Sequence, residues 1–301
     1  MDFLYWLQQQ RTPLGESAFG MITHLGSDII LIAALCMMLW MFGRRAALRL
    51  AISYAGTGML NQLVKIVFAV PRPWLLDDRL SPVESALPGA SGYSFPSGHS
   101  QTATCLFTSI ALYFKKRWLY IVSALSIAAV MLSRMYLGVH TLWDVSIGCA
   151  LSLMLTIVIS RLLTRAERSP NYIKYVCMGG LAGSVVMVAV IAFKASQGTP
   201  ANMLSDITMV AGAALGFVCG LHMDARKPEI ILPIRLSLPL SIAGIVIVMA
   251  LKFVLGAVLN ALPGVLWQTF VCYALIGLYI TGVHPALMRA LSGQRMASVN
   301  E

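Results

Sequence analysis

The chain has 301 residues, of which 58% are hydrophobic and 11% are charged, and its formal net charge is +10 at pH 7. Soluble domains carry about 25% charged residues, so this composition, with a mean hydropathy of +0.78, excludes a soluble globular protein and indicates an integral membrane protein. The positive charge does not indicate nucleic-acid binding, because the basic residues lie in short clusters between apolar runs.

The chain opens with a segment, residues 1–20, that lacks the basic start and long apolar run of a signal peptide. Its aromatic residues, Phe3, Tyr5 and Trp6, favour a position at the membrane interface. Because about 20 apolar residues cross a bilayer once, the remainder predicts about nine spans. The predicted fold is therefore all-α, a polytopic bundle of transmembrane helices. The predicted spans are 22–43, 47–69, 99–114, 118–137, 139–161, 174–195, 203–222, 234–259 and 264–288.

Basic residues occupy alternate connections between these spans, and they also occur in the C-terminal tail. Positively charged loops stay in the cytoplasm, so the pattern predicts that the N-terminus lies outside and the C-terminus inside. The connection from about 70 to 98 and the turn near 138 then share the outer face. For a bacterial protein, this is the periplasmic face of the inner membrane. The basic clusters are Arg44, Arg45 and Arg49; Lys115, Lys116 and Arg117; Arg161, Arg165, Arg168 and Lys174; Arg226, Lys227 and Arg235; and Arg289 and Arg295.

The first motif is KIVFAVPRPW, in which Lys65 and Arg72 lie seven residues apart. Seven residues make two helical turns, so the spacing predicts that both side chains face the same way at the outer end of the second span. Pro71 and Pro73 are expected to end the helix there. Ionisable residues at membrane depth indicate a functional site, and two snorkelling interfacial cations are the alternative interpretation.

The second motif, FPSGHS, opens the third predicted span. Pro96 and Gly98 favour a tight turn, and Ser97 is well placed to cap the following helix. The unpaired N–H groups of a helix N-terminus bind anions, and His99 at this end can donate a proton to an anion held there. A capped helix start without a ligand is the alternative.

The third motif is SRMYLGVHTLWD, in which Arg134 ends span four and Gly138 breaks the helix. His140 opens span five, with Asp144 one turn later. At this spacing the two side chains meet, so Asp144 can accept a hydrogen bond from one imidazole nitrogen and leave the other unprotonated as a nucleophile. A purely structural hydrogen bond is the alternative for an isolated pair.

The predicted topology brings the three motifs to one membrane face near helix ends. Together they form a site suited to a phosphate dianion. The side chains of Lys65, Arg72 and Arg134 can hold its nonbridging oxygens. The Ser97 side chain and the Gly98 amide add donors where charge develops in the transition state.

The three motifs, K-x6-R-P from Lys65 to Pro73, P-S-G-H from Pro96 to His99 and S-R-x5-H-x3-D from Ser133 to Asp144, occur in order with every position filled. They resemble the signature of the type 2 phosphatidic acid phosphatase superfamily. That family includes glucose-6-phosphatases, sphingosine-phosphate phosphatases and undecaprenyl-pyrophosphate phosphatases.

The resemblance implies a metal-independent hydrolase that needs no cofactor. It implies that His140 attacks phosphorus to form a phosphohistidine, that His99 protonates the leaving oxygen, and that Asp144 orients His140. It also implies a division of the chain into an interfacial segment 1–20, a phosphatase core 21–195 containing the first six spans, and a C-terminal extension 196–301 of three spans.

The function that best fits these features is hydrolysis of a lipid phosphate or pyrophosphate at the outer membrane face. The expected partners are the bilayer and a membrane lipid phosphate, and no nucleic acid; no oligomeric state is predicted. Three alternatives remain. They are a phosphotransferase to a lipid or sugar acceptor, a soluble sugar-phosphate phosphatase, and a lipid carrier or scramblase without enzymatic activity.

Overall fold

The structure is a computed structural model that describes residues 1–90, 92–227, 229, 231–259 and 264–297, without the side chains of 293–297. Helices dominate these residues, and none of them belongs to a β-strand. The predicted all-α fold is thus confirmed for this part of the chain. The helices are α1 (Asp2–Gln9), α2 (Pro13–Thr23), α3 (Asp28–Phe42), α4 (Arg44–Phe68), α5 (Pro73–Leu76), α6 (Gly98–Phe114), α7 (Arg117–Tyr136), α8 (Leu142–Ala166), α9 (Tyr172–Ser196), α10 (Ala201–Ala225), α11 (Ile234–Leu259), α12 (Val265–Leu278) and α13 (His284–Ala297).

Six helical segments among the described residues are long and apolar enough to cross a membrane, which identifies an integral membrane protein with several spans. They are α7, α8, α9, α10, α11 and the continuous stretch Val265–Ser292. A bent pair, Pro13–Gly26 with Asp28–Phe42, makes a seventh if it is one span. The other two predicted spans correspond to α4 and to α6, and α6 has only 17 residues.

The first predicted span is not one straight helix. A 3-10 turn, His24–Gly26, separates α2 from α3, and the two helices meet at a 45° bend. The turn packs on the start of α6, where a Cβ atom on Gly26 would lie 2.5 Å from the carbonyl oxygen of His99. Only glycine allows this close backbone approach, so the break serves packing around the second motif.

The second predicted span, 47–69, ends within one residue of its predicted end, but Arg72 lies beyond the helix. Helix α4 stops at Phe68, and Ala69 follows with a left-handed φ of +46°. Arg72 therefore lies in extended backbone just before α5. The prediction that Lys65 and Arg72 share one helical face is wrong, because the restriction that Pro71 places on the residue before it ends the helix before Arg72.

The chain divides into two compact units. The first unit contains Met1–Ala34 and Arg49–Leu163, and all three motifs lie in it. Its N-terminal helix α1 buries Leu4 and Leu7 against Met135 and Tyr136 of α7. The exposed face of α1 carries Trp6.

The long connection between α4 and α6 also belongs to the first unit. It contains α5 and a 3-10 turn, Glu84–Gly89. Val83 and Ala86 are buried against Leu137 and Val139, just after α7, and the Val83 amide donates to the Leu137 carbonyl over 3.0 Å. The loop therefore covers the segment between Arg134 and His140.

The second unit contains Leu35–Leu48 and the described residues from Thr164 onward. Its centre is α10, which packs on α9, α12 and a π-helical turn, Tyr279–Val283. At one end, Arg44 donates from Nε to Oδ2 of Asp224 over 2.9 Å, and Arg289 donates to Oδ1. The buried carboxylate of Asp224 therefore ties three helices of this unit together.

Candidate active site

The second motif begins α6 as the sequence predicts. Ser97 is the N-cap, and its hydroxyl oxygen accepts a hydrogen bond from the Ser100 amide over 3.4 Å, so the predicted cap is confirmed. Gly98 is the first helical residue, and its N–H group belongs to the first turn, which has no partner inside the helix. A Cβ atom on Gly98 would lie 3.8 Å from Nζ of Lys65. The α6 N-terminus and the Lys65 ammonium therefore lie side by side.

Helix α8 approaches this helix start closely. The Ser97 amide donates to the main-chain oxygen of Asp144 over 2.9 Å. A Cβ atom on Gly148 would lie 2.8 Å from the Ser97 carbonyl oxygen, so glycine is required for α8 to pass at this distance. These contacts fix the third motif against the second.

His140 and Asp144 meet in the structure, although His140 lies in the turn before α8 rather than on it. Nδ1 of His140 is 3.5 Å from Oδ2 of Asp144. The carboxylate also accepts from the Thr141 amide over 2.7 Å, while the Thr141 hydroxyl accepts from the Asp144 amide over 3.2 Å. This reciprocal pair is a capping box, and it holds the carboxylate in place at the start of α8.

The other imidazole nitrogen faces Arg72. Nη1 of Arg72 lies 3.0 Å from Nε2 of His140 and also donates to the Val139 carbonyl over 3.0 Å. A guanidinium can only donate, so Nε2 accepts and carries no proton, and the proton of the neutral ring is on Nδ1. This tautomer directs the basic nitrogen toward the cations and the N–H group toward Asp144.

The electrostatic environment keeps His140 neutral. Its side chain is 2% exposed, and burial lowers the pKa of the imidazole well below its usual value, with the charges of Arg72, Arg134 and Lys65 acting in the same direction. Desolvation and neighbouring positive charge both disfavour the imidazolium. A neutral imidazole is the form that can act as a nucleophile.

Arg134 is buried at the end of α7, with 1% exposure. Its Nη1 donates to the Thr23 hydroxyl over 2.9 Å and its Nη2 to the Gly89 carbonyl over 3.3 Å. Nε of Arg134 is buried and has no hydrogen-bond partner within the described residues. The guanidinium is thus held through two of its nitrogens, and the N–H group of Nε is available to an anion.

His99 lies on the same side of the unit. A Cβ atom on Gly89 would lie 3.4 Å from Cε1 and 3.6 Å from Nε2 of His99, so the His99 ring lies beside the residue whose carbonyl binds Arg134. Arg134, His140, Lys65 and Arg72 are the charged or titratable groups that act on the His99 ring. The structure therefore brings the candidates of all three motifs into one buried cluster.

The sequence did not indicate three contributors to this cluster. Ser94 donates its hydroxyl proton to Oδ2 of Asp144 over 2.6 Å, and Thr23 and Gly89 bind Arg134. No sequence pattern around these residues indicates their contacts, because each lies in a segment remote in sequence from its partner. The Thr141–Asp144 capping box, by contrast, was visible as a T-x-x-D spacing.

The cluster has the chemistry of an anion site. Three buried cations and a helix N-terminus surround a neutral imidazole, and these donors match the oxygens of a phosphoryl group. The charge of Asp144 is already satisfied by Thr141 and Ser94. The net positive charge of the cluster is therefore suited to an anionic ligand.

Comparisons with known proteins give the family of the chain. A family model described as the PAP2 superfamily matches residues 46–168. Phosphatidylglycerophosphatase B of Bacillus subtilis (strain 168) is 30% identical over 158 residues, which are 48% of this chain and 73% of the relative. The chain belongs to the PAP2 superfamily. It is a phosphatase, and its match region contains all three motifs.

Two further similarities extend this PAP2 match. Sphingosine-1-phosphate phosphatase 1 of Rattus norvegicus is 24% identical over 248 residues, which are 80% of this chain and 56% of the relative. The chain thus spans about half the length of this relative. A crystal structure of a transmembrane PAP2 type phosphatidylglycerolphosphate phosphatase from Bacillus subtilis has a TM-score of 0.45 and 26% identity, covering 56% of this chain and 87% of that chain.

Proposed function

We propose that the chain is a metal-independent lipid phosphatase that hydrolyses a membrane lipid phosphate or pyrophosphate through a phosphohistidine. One observation carries this proposal. The neutral, buried His140 turns its unprotonated Nε2 toward the Arg72 guanidinium and its Nδ1 toward Asp144. A site that only bound anions would need the cations but not this pair.

In the proposed reaction, Lys65, Arg72 and Arg134 hold the nonbridging oxygens of the phosphoryl group. The Ser97 hydroxyl and the Gly98 amide add two donors that strengthen as charge develops. The Arg72 guanidinium, which contacts Nε2 of His140, turns to a phosphate oxygen in this reaction. This movement uncovers the lone pair of Nε2.

The chemistry then proceeds in two steps. Nε2 of His140 attacks phosphorus in line, the P–N bond forms, the P–O bond to the alcohol breaks, and His99 gives its proton to the leaving oxygen. Water next attacks phosphorus and gives a proton to His99, and the P–N bond breaks to release phosphate. Asp144 balances the positive charge of the phosphorylated ring.

A lipid substrate is favoured by the position of the site and by the relatives. The site is built from helix ends, where a headgroup can enter while its tail stays in the bilayer. The two relatives are named as phosphatases of phosphatidylglycerophosphate and of sphingosine 1-phosphate. Fold alone does not fix a substrate, so a sugar phosphate remains an alternative.

The proposed arrangement in the membrane has nine spans, with the N-terminus outside, the C-terminus in the cytoplasm and the site at the outer face of a bacterial inner membrane. Its support is the alternation of basic connections in the sequence. We also propose that residues 1–20 lie at the interface, that residues 21–195 form the phosphatase core, and that residues 196–301 form a C-terminal extension. The match over 46–168 supports the core.

Phosphate release by the purified protein in mixed micelles tests the function. The panel contains phosphatidate, lysophosphatidate, sphingosine phosphate, undecaprenyl pyrophosphate and glucose 6-phosphate, with excess EDTA in every sample and the His140→Ala variant as blank. We expect release from at least one lipid and none from the variant. Preference for glucose 6-phosphate, or equal release by the variant, contradicts the proposal. Transfer to an added alcohol at the expense of free phosphate would favour the phosphotransferase.

A further inference from the structure

Ser94 occupies a fixed position beside the His140–Asp144 pair. It lies in the loop before α6 and is 1% exposed. Its amide donates to the Val70 carbonyl over 2.8 Å, and Nε of Arg72 donates to the Gly92 carbonyl of the same loop over 3.1 Å. The loop is therefore braced against the segment that carries Arg72, and the Ser94 side chain has little freedom to move.

The direction of its hydrogen bond follows from the chemistry of the partner. Oγ of Ser94 lies 2.6 Å from Oδ2 of Asp144, and an ionised carboxylate can only accept. Ser94 must therefore donate its proton to Asp144. The lone pairs of Oγ remain, and Nδ1 of His140 lies 3.4 Å away from this oxygen.

The Nδ1–H group of His140 thus faces two side-chain acceptors at nearly equal distance, and the Ser94 main chain also forms a hydrogen bond with this ring. The distance of 3.5 Å from Nδ1 to Oδ2 of Asp144 and that of 3.4 Å to Oγ of Ser94 are both longer than a regular N–H···O hydrogen bond of about 2.7–3.2 Å. Ser94 connects the two side chains by accepting from His140 while it donates to Asp144. In this arrangement the hydroxyl transmits the effect of the carboxylate to the imidazole.

We propose that Ser94 is a positioning residue for the phosphoryl transfer, in which the chain Nδ1–H of His140, Oγ–H of Ser94 and Oδ2 of Asp144 holds the ring with Nε2 toward phosphorus. The inference rests on the proposed role of His140 as nucleophile. Ser94 touches neither the phosphate nor the leaving group, and it acts through Asp144 and His140. Cooperative chains of this kind are stronger than their separate bonds.

A positioning role predicts that substitution of Ser94 changes kcat but not the affinity for phosphate. Ser94→Ala should lower kcat about 10- to 100-fold, the effect of one hydrogen bond to a charged group, and leave the inhibition constant of inorganic phosphate unchanged. Ser94→Thr keeps the hydroxyl and should recover at least part of kcat. Ser152→Ala is the matched control. It removes another buried serine hydroxyl of the first unit, which donates to the Gln101 carbonyl over 2.9 Å, and it should keep wild-type kcat.

A double-mutant cycle with Asp144→Ala is the decisive experiment, measured as single-turnover phosphorylation together with inhibition by inorganic phosphate. If Ser94 acts through Asp144, then Ser94→Ala should add less than about twofold to the loss caused by Asp144→Ala. The inference is overturned if the rate reductions of the two single variants multiply in the double variant. It is also overturned if Ser94→Ala keeps wild-type kcat, or if its phosphate inhibition constant rises as much as its kcat falls. Failure of the proposed function appears separately, as phosphorylation that persists in His140→Ala.

Discussion

Nη1 of Arg72 lies 3.0 Å from Nε2 of His140, the atom proposed to attack phosphorus. The guanidinium therefore donates to the lone pair of the proposed nucleophile. The same nitrogen donates to the Val139 carbonyl, so Arg72 is anchored beside His140. This contact links substrate binding to exposure of the nucleophile.

Arg72→Lys tests this link. A lysine retains the charge but cannot bind two phosphate oxygens in the planar, bidentate geometry of a guanidinium, because its donors share one nitrogen on a flexible stem. We expect kcat/KM to fall about 100-fold, close to the fall in Arg72→Ala, since a bidentate contact is worth about 3 kcal/mol. Steady-state kinetics on the best lipid substrate measures this, and near wild-type kcat/KM in Arg72→Lys would show that charge alone suffices.

The pH dependence of activity reports the surroundings of His140. Burial and the positive charges of Arg72, Arg134 and Lys65 lower its pKa, so the neutral form persists as the pH falls below 6.5. Protonation of His140 therefore should not limit kcat/KM between pH 7 and 6. Removing a positive charge in Arg72→Gln should raise this pKa and move the acidic limb to higher pH. The dependence of kcat/KM on pH is measured for the wild type and for Arg72→Gln with the same substrate, so that the ionisation of the substrate affects both equally. If the acidic limb of the variant lies at the same pH as that of the wild type, this electrostatic account is wrong.

Thr23 is expected to hold Arg134 in place, although it lies 111 residues away in the sequence. Thr23→Val replaces the buried acceptor by a methyl group and leaves an Arg134 donor without its partner. We expect a loss of about 1–2 kcal/mol of stability and a higher KM, while Thr23→Ser should restore both. Thermal unfolding in detergent and steady-state kinetics provide the two readings. If Thr23→Val and Thr23→Ser behave alike, the hydroxyl has no part in the site.

The second unit offers a stability test that should not affect the chemistry. Asp224 is 4% exposed and accepts from both Arg44 and Arg289. Asp224→Ala leaves two arginines without their carboxylate, and removing one partner from a buried ion pair costs about 3 kcal/mol or more. We expect a lower unfolding midpoint with unchanged kcat per folded molecule, since all candidate site residues lie in the first unit. An unchanged midpoint would mean that the arginines find other partners.

The sequence predicted the helical class, the membrane setting and the residues that meet in the site. These predictions succeed because span length and motif spacing are local properties of the sequence. In addition, serine favours a helix N-cap at Ser97, and glycine favours a turn at Gly138. Gly138 does follow α7 with φ +76°. The packing of His140 on Asp144 also follows from a spacing of four residues.

The contacts that support the site could not be predicted in the same way. The partners of Arg134 and Asp144, Thr23 and Ser94, come from remote segments, and a single sequence gives no measure of such distances. The helical argument for Lys65 and Arg72 failed because a left-handed residue, Ala69, intervenes. The break at Gly26 also went unseen, since its cause is the backbone of α6.

The most direct measurement is the site of covalent labelling during turnover. The protein is mixed with a lipid substrate carrying 32P in its phosphate, quenched in alkali, where phosphohistidine survives, and digested for peptide mapping. Our account predicts label on the peptide that contains His140, with none in His140→Ala and normal folding of that variant by thermal unfolding. Label on another residue, or phosphate release by the wild type without any trapped label under single-turnover conditions, would contradict it.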